Sequence, residues 1–554
     1  GAAVRRAALA LGLGALGVAL GWLFARGGLD EWSGARARAA VALAALGWAV
    51  LLRDRRREGR PVAIPVAHGV AGAIALTAAA AWFNFGAVGA TGGVHRHDVF
   101  HYYVGSKYHR ELGYGLIYRC AALAEAEAGG EALVRQRMFR DLATDRLVPA
   151  AEALRDPDLC HRRFTPARWR GFRTDVANLR RGLNEPAWRQ SQIDHGYNPT
   201  PAWTVTSGLL SRVVPSSDLG LRLLASLDTV LVALTVALLG GAFGWRVAAL
   251  ALVLWGTQEP GKFSWVAFSM LRFDWFALVV ASLVALRRGH AGLAGAALGW
   301  AAAMRGFPAL GLVGVLLSGV ASPSLRARYA PDRRRFVVGF AAAAALLVAL
   351  GAALVGPGSW VEWTVHIRRH AAVASSNKAG LGILVSFDPE HRVERVQARL
   401  PGAAPDAWMQ RWADEVRATR DARRVPLRAL QLLFGALLLV ALGRARRPWI
   451  GLTLSLLAAP VATELSGYYL MLFVAAAVLA AARASLERWL LGFAAMVQVL
   501  MVMPAVGWFY DDRYLAISLA YVLASVLLTA VFARRPTPAG RTTPAAAADY
   551  DPAG

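Results

Sequence analysis

A chain of 554 residues that is 56% hydrophobic, with mean hydropathy +0.41, offers one apolar run after another and excludes an ordinary water-soluble domain. Those runs are about 16–25 residues long, the length of a bilayer crossing. The formal charge of +25 would suggest nucleic acid in a soluble protein. Here the arginines cluster between apolar runs, the topology signal of an inner-membrane protein, and no nucleic-acid module is visible.

In chain order, segment 5–25 has the basic flank of a signal peptide. Its apolar run is long and no convincing small-residue cleavage site follows, so it reads as a retained anchor. Spans near 37–52 and 66–88 follow. Basic clusters at Arg53–Arg60, Leu286–His290, Arg326–Arg335, Gly443–Pro448, Arg483–Arg488 and Ala533–Pro536 place both termini in the cytoplasm. The loop 89–201 is then external, and its own arginines do not contradict this, because long loops largely escape the positive-inside rule. It holds both cysteines, Cys120 and Cys160, which either pair in an oxidising compartment or stand as unrelated thiols. From Glu125 to Asp156 apolar residues recur three and four apart, predicting amphipathic helix on the membrane surface.

Four apolar runs come next, near 203–214, 219–241, 246–258 and 264–286. An odd number of crossings is needed, so the shortest, 203–214, is expected to be re-entrant. The run 290–319 is broken at Arg305–Pro308, where proline ends or kinks a helix, giving two short legs. Spans at 335–356, 426–443, 449–464, 467–483, 488–507 and 513–533 bring the total to about 14, around a second external loop at 356–425. The Pro/Ala/Thr-rich tail 536–554 reads as disordered. The expected fold is thus all-α and polytopic: two N-terminal spans over 1–60, a core over 61–535, and amphipathic helices in the large periplasmic loops.

Charged residues within apolar runs are expensive and usually face a cavity or a site. Asp98, Glu259, Lys262, Arg272, Asp274, Arg305 and Glu464 share one level near the outer leaflet in this topology, and Asp228 lies deeper. All three lysines of the chain, Lys107, Lys262 and Lys378, fall on the outer side. The stretch Val94–Tyr114 sets Asp98 among histidines and tyrosines at the membrane surface. That supplies a base at the interface and groups to hold a sugar, although Tyr and Trp also collect there as an aromatic belt. Arg272 and Asp274 could instead pair with each other, Arg305 could cap carbonyls at its helix break, and Glu464 with Tyr468 could be structural. No metal is expected, because His95 and His97 are poorly placed to share one ligand face.

Four segments carry a family resemblance in a consistent order. They are HDVFHYYVGSKYHRELGY (His97–Tyr114), HGYNPTPAW (His195–Trp203), LRFDWFALVVASLVALRRG with LAGAALGWAAAMRGFPALGLV (Leu271–Val313), and APVATELSGYYLMLF (Ala459–Phe473). In these the chain resembles the GT-C superfamily of polytopic glycosyltransferases, most closely glycosyltransferase family 87, the polyprenyl-phosphate-mannose-dependent mannosyltransferases. It departs from the pattern at Arg272 and Asp274, where Gln and Asn are usual, at Arg305, where Lys is usual, and at Thr463 and Leu465, where Trp and His are usual. The first two spans are additional to the common core.

The resemblance implies a GT-C-type bundle and inverting transfer of a hexose such as mannose from a polyprenyl-phosphate sugar. The acceptor would be a lipid, glycan or protein at the periplasmic face of a bacterial inner membrane, and no cofactor is expected. Asp98 would act as base. Arg305, then Arg272, with Lys262 and Lys378, would hold the donor phosphate. His97, His101, Tyr102, Lys107, Asp194, His195, Tyr197, Asp274, Glu464 and Tyr468 would contact sugar or acceptor. The rival readings are a transporter or flippase of a lipid-linked or sugar-like substrate, which should show pseudo-symmetric halves, and a surface-polysaccharide polymerase or ligase, which should lack the Asp-plus-aromatic first loop. A non-catalytic scaffold would not need buried charges.

Overall fold

A computed structural model describes residues 31–85, 93–262, 266–375, 377–403, 405–503 and 510–534. The predicted anchor 5–25 and tail 536–554 lie outside them. The described chain is predominantly helical, and seven of its helices are long and apolar enough to cross a membrane. This is the composition of a polytopic membrane protein.

The first two of these helices are α1 (Glu31–Arg57) and α2 (Ile64–Trp82). Short turns from Arg96 to Leu112 lead to α3 (Ile117–Glu125). A hairpin of β1 (Met138–Asp141) and β2 (Arg146–Pro149) follows, then α4 (Pro166–Arg181) and α5 (Glu185–Gln192). The bundle continues with α6 (Pro201–Val213), α7 (Asp218–Phe243), α8 (Trp245–Gly256), α9 (Asp274–Arg287), α10 (Ala291–Arg305), α11 (Leu310–Leu317) and α12 (Pro323–Leu354). Next are α13 (Ser359–Ala372), β3 (Lys378–Ala379), α14 (Leu381–Ser386), α15 (Pro405–Ala422), α16 (Arg424–Arg444) and α17 (Pro448–Leu457). The chain closes with β4 (Leu465–Ser466), a 3₁₀-helix over Gly467–Ala481, α18 (Ser485–Val502) and α19 (Tyr510–Ala533).

Helix starts follow from local chemistry. Thr165, Asn184, Thr200 and Ser322 each accept an N–H from the first turn of the helix that follows, with proline at one of its first two positions. A side-chain oxygen satisfies one orphan donor there, and proline lacks the N–H that would go unpaired. Small residues set the closest crossing. A Cβ on Gly295 or Gly299 of α10 would overlap the carbonyl oxygens of Phe336 and Phe340 on α12, so these backbones touch directly. Glu259, 1% exposed, ties the N-terminal helix to the far end of the chain through Arg38 of α1 (3.3 Å), Lys262 (3.4 Å) and Arg513 of α19.

Three expectations change. The helical periodicity of 125–156 yields to the β1–β2 hairpin. The Asp141 carboxylate accepts from Ala143 N–H and the Thr144 hydroxyl, and Asp145 takes a left-handed φ of 57°, which closes a turn where a helix would have continued. The run 264–286 is helical only from Asp274, so Arg272 lies in the segment ahead of α9 and not within a helix. Finally, the run 467–483 winds as a 3₁₀-helix. The break at Arg305–Pro308 is where the sequence placed it, and Cys120 and Cys160 form a disulfide.

Candidate functional site

The site grows from one irregular helical stretch. The backbone N–H of His95 donates to the Phe268 carbonyl (3.0 Å), docking the chain on the segment before α9. One α-turn (Arg96–Val99) runs into a wide π-turn (Phe100–Val104) anchored by buried Phe100 against Trp188. Residues four apart share a side of such a stretch, so Asp98 with Tyr102 and His97 with His101 form two faces.

On the first face Asp98 makes an ion pair with Arg272 and lies 3.5 Å from His95 Nδ1. The Arg272 guanidinium lies over the ring of Tyr102 (5.1 Å) and of Tyr468 (4.5 Å), a cation–π arrangement. Asp228, on α7, accounts for how Arg272 is presented. Its carboxylate, on a residue 1% exposed, accepts the backbone N–H groups of Ser269 (3.2 Å), Arg272 (2.6 Å) and Phe273 (3.2 Å). Within that loop Phe268, Met270 and Leu271 all have φ between 52° and 65°, a conformation that disfavours side chains and persists only when surroundings fix it. Asp228 is thus a loop organiser, and the deep charge that had kept a transporter reading open has a structural use.

Arg305 joins from the end of α10. Its guanidinium sits 5.4 Å over the ring of Trp203, 4.0 Å from Asp274 and 3.2 Å from the Met304 carbonyl. Trp203 packs on Tyr102 (5.0 Å), and Tyr469 packs on Tyr468 (4.5 Å), Trp275 (5.7 Å) and Phe307 (5.3 Å). The Nε atoms of both Arg272 and Arg305 are buried with no hydrogen bond. Asp98, Tyr102, Arg272, Asp274, Arg305 and Tyr468 therefore come together, as the sequence suggested.

The second face holds His97, whose Nε2 is 3.2 Å from Asp194, and His101. Here hydrogen bonds run in one direction. The Gly196 N–H donates to Tyr118 Oη (2.8 Å), the Tyr118 hydroxyl donates to His101 Nε2 (2.8 Å), and His101 Nδ1 donates to the His97 carbonyl (2.8 Å). Nitrogen or oxygen atoms of His97, His101 and Asp194 lie within 4.8 Å of one another, close enough to bracket a metal ion. Both nitrogens of His101 are already committed, so the trio fits a fixed hydrogen-bond relay better than a chelate.

Electrostatics separates the groups. Burial works against ionisation of Asp98 and Asp194, but Arg272 with the neighbouring histidines, and the His97 bond, outweigh it; both carboxyls are held well below their usual range. Burial pulls His97 down, and Asp194 outweighs it, raising His97 above 6.5. Burial alone brings His101 to about 4, so it is neutral as the relay requires. The arrangement offers an ionised carboxylate beside a guanidinium, aromatic walls, and a histidine–carboxylate pair one turn away to share a proton.

Other predicted residues are engaged elsewhere. Lys107 pairs with Asp175 (2.8 Å), and His195 with Asp145 (3.1 Å). Tyr197 is fully buried with its hydroxyl on Thr204 (2.7 Å), its ring so close to Gly105 that a Cβ there would overlap it. Lys262 belongs to the Glu259 cluster. Glu464 pairs with Arg420, and Lys378 Nζ donates to the Ala371 carbonyl (3.1 Å). Sequence reasoning missed the roles of Trp203, Trp275, Tyr118 and Asp228. Trp203 stands in a motif already singled out; nothing local marks the others. No family model, curated protein or solved structure matches the chain.

Proposed function

We propose that the chain is a GT-C-type membrane glycosyltransferase. It would move a hexose such as mannose from a polyprenyl-phosphate donor to a lipid, glycan or protein hydroxyl at the periplasmic face of a bacterial inner membrane, with inversion. In such a bundle of about 14 crossings, the short apolar helices and the 3₁₀-helix would be counted with the seven long ones. The observation that carries the reading is the meeting of Asp98 with Arg272 and Arg305, brought from three distant stretches into one aromatic-walled group.

The reaction divides simply. The acceptor oxygen attacks the anomeric carbon as Asp98 takes its proton, and the bond from that carbon to the phosphate oxygen breaks. Charge then grows on the lipid phosphate, where Arg305 and Arg272 supply charge-assisted hydrogen bonds. Tyr102, Trp203 and Tyr468 provide faces on which a sugar can stack. Arg272 has a double part in this scheme. Paired with Asp98 it keeps the carboxylate a weak base; drawn to a donor phosphate, it releases a stronger one. Donor binding would therefore precede productive acceptor binding.

The first test is sugar transfer by purified protein in detergent from a panel of polyprenyl-phosphate sugars. Wild type should consume one donor. Asp98→Asn should lower turnover by about 10²–10⁴-fold while donor binding survives. If no donor is consumed, or the variant is as active as wild type, transport of a lipid-linked sugar becomes the leading account.

A further inference from the structure

Apart from the Asp98 group, a cavity of about 50 Å³ lies between β3, α14, α15 and the start of α19. At about 10–15 Å³ per water it holds a few waters, or one tetrahedral oxyanion. Its cations are Lys378, Arg392, Arg417 and Arg420. The three lining carboxylates are already used: Glu464 pairs with Arg420, Asp511 accepts the Val393 N–H (2.7 Å), and Asp388 accepts the Glu390 N–H (3.0 Å).

The donors are what remain unsatisfied. Lys378 is 8% exposed and gives its ammonium hydrogens to the carbonyls of Ala371 and Val373 (3.1 and 2.5 Å); among the described residues no carboxylate pairs with it. An ammonium has three donors, so one is left. Arg392 Nε, Arg420 Nε and Trp412 Nε1 are buried with no hydrogen bond, and Trp412 is only 6% exposed. Burial together with Arg420 and Arg417 holds the Lys378 ammonium down to about 8, the mark of positive charge gathered without its counter-ion. Four N–H donors around a small cavity call for a ligand with several acceptor oxygens, negative charge and no donors. A carboxylate has two oxygens; a phosphate group has more.

The position is also informative. Arg420 stands four residues ahead of the apolar helix α16, and Asp511 is at the first turn of α19. Such helix ends lie at headgroup level. The β3–β4 register pairs Lys378 with Ser466, two residues before Tyr468 of the Asp98 group.

We propose that this cavity is a second anion site that takes a phosphate mono- or diester, held by Lys378, Arg420, Arg392 and Trp412. The inference stands whether or not the chain transfers sugar. Phosphate of this kind has two sources, a phospholipid headgroup and a soluble phosphate. Purified protein would be titrated with inorganic phosphate by calorimetry, and separately reconstituted in nanodiscs of phosphatidylcholine with and without phosphatidylglycerol, following thermal unfolding. Saturable phosphate binding assigns the soluble source. Stabilisation by phosphatidylglycerol alone assigns the headgroup. In either case Lys378→Gln and Trp412→Phe should each weaken the effect about tenfold, with unliganded unfolding temperatures close to wild type. Asp98→Asn should leave it unchanged, so failure of the transferase reading is seen separately. Absence of binding to both probes, or binding indifferent to Lys378→Gln and Trp412→Phe, overturns the proposal.

Discussion

Asp98, Arg272 and Arg305 were legible as site residues because a charge in an apolar neighbourhood needs a partner or a purpose. Asp228 carries the same signal with a different meaning, since its carboxylate caps three backbone N–H groups of a loop whose strain no local sequence rule reveals. Asp228→Ala strands those donors at about 1–3 kcal/mol each, whereas Asp228→Asn keeps an acceptor oxygen. Thermal unfolding should therefore drop sharply for the first and modestly for the second. His97 gives a pH test. Its folded value is raised by Asp194, so the pair stabilises while His97 is protonated, and the benefit is lost as pH rises through that value. The Asp194 carboxyl is depressed, so its share persists until strong acid. The stability gap between wild type and Asp194→Asn should be widest between about pH 4 and 6.5 and shrink above. It should not exceed about 1 kcal/mol, because the Asp194 side chain is 42% exposed. Histidine NMR should show the His97 midpoint falling in the variant.

At the level of elements, the sequence was most readable where local chemistry decides. The Thr-Pro, Asn-Glu-Pro and Ser-Pro starts stand where helices begin, and Arg-Gly-Phe-Pro marks the break after α10. It was least readable where distant contacts decide. Lys378 and Glu464 were assigned to the Asp98 group because nothing in the chain order shows that β3 pairs with β4 and draws both to another cavity. The Cys120–Cys160 bond closes a loop with sequence separation 40. Loop entropy alone assigns it about 4 kcal/mol, so Cys120→Ser with Cys160→Ser should open the β1–β2 region to limited proteolysis. Gly295→Leu should be worse for assembly than either, since it forces α10 off the α12 backbone. Loss of the monodisperse detergent peak in size-exclusion chromatography would report it.

For the molecule as a whole, hydropathy identified a polytopic chain but not its crossings. Seven helices meet the length of a bilayer, while α8, α17 and the 3₁₀-helix are shorter apolar segments packed inside the bundle. A window that expects about 20 residues per crossing treats such segments as ambiguous. The 3₁₀-helix shows why. At about 2.0 Å per residue its 15 residues reach about 30 Å, the full depth of the hydrocarbon layer; wound as α, at about 1.5 Å, they would stop some 7 Å short. With three residues per turn its side chains stack in straight columns, a thin triangular post and not a cylinder. Two of those columns are headed by Tyr468 and Tyr469. One residue added within the post would turn both rings by about 120°, so this is the stretch of the chain least able to change its length.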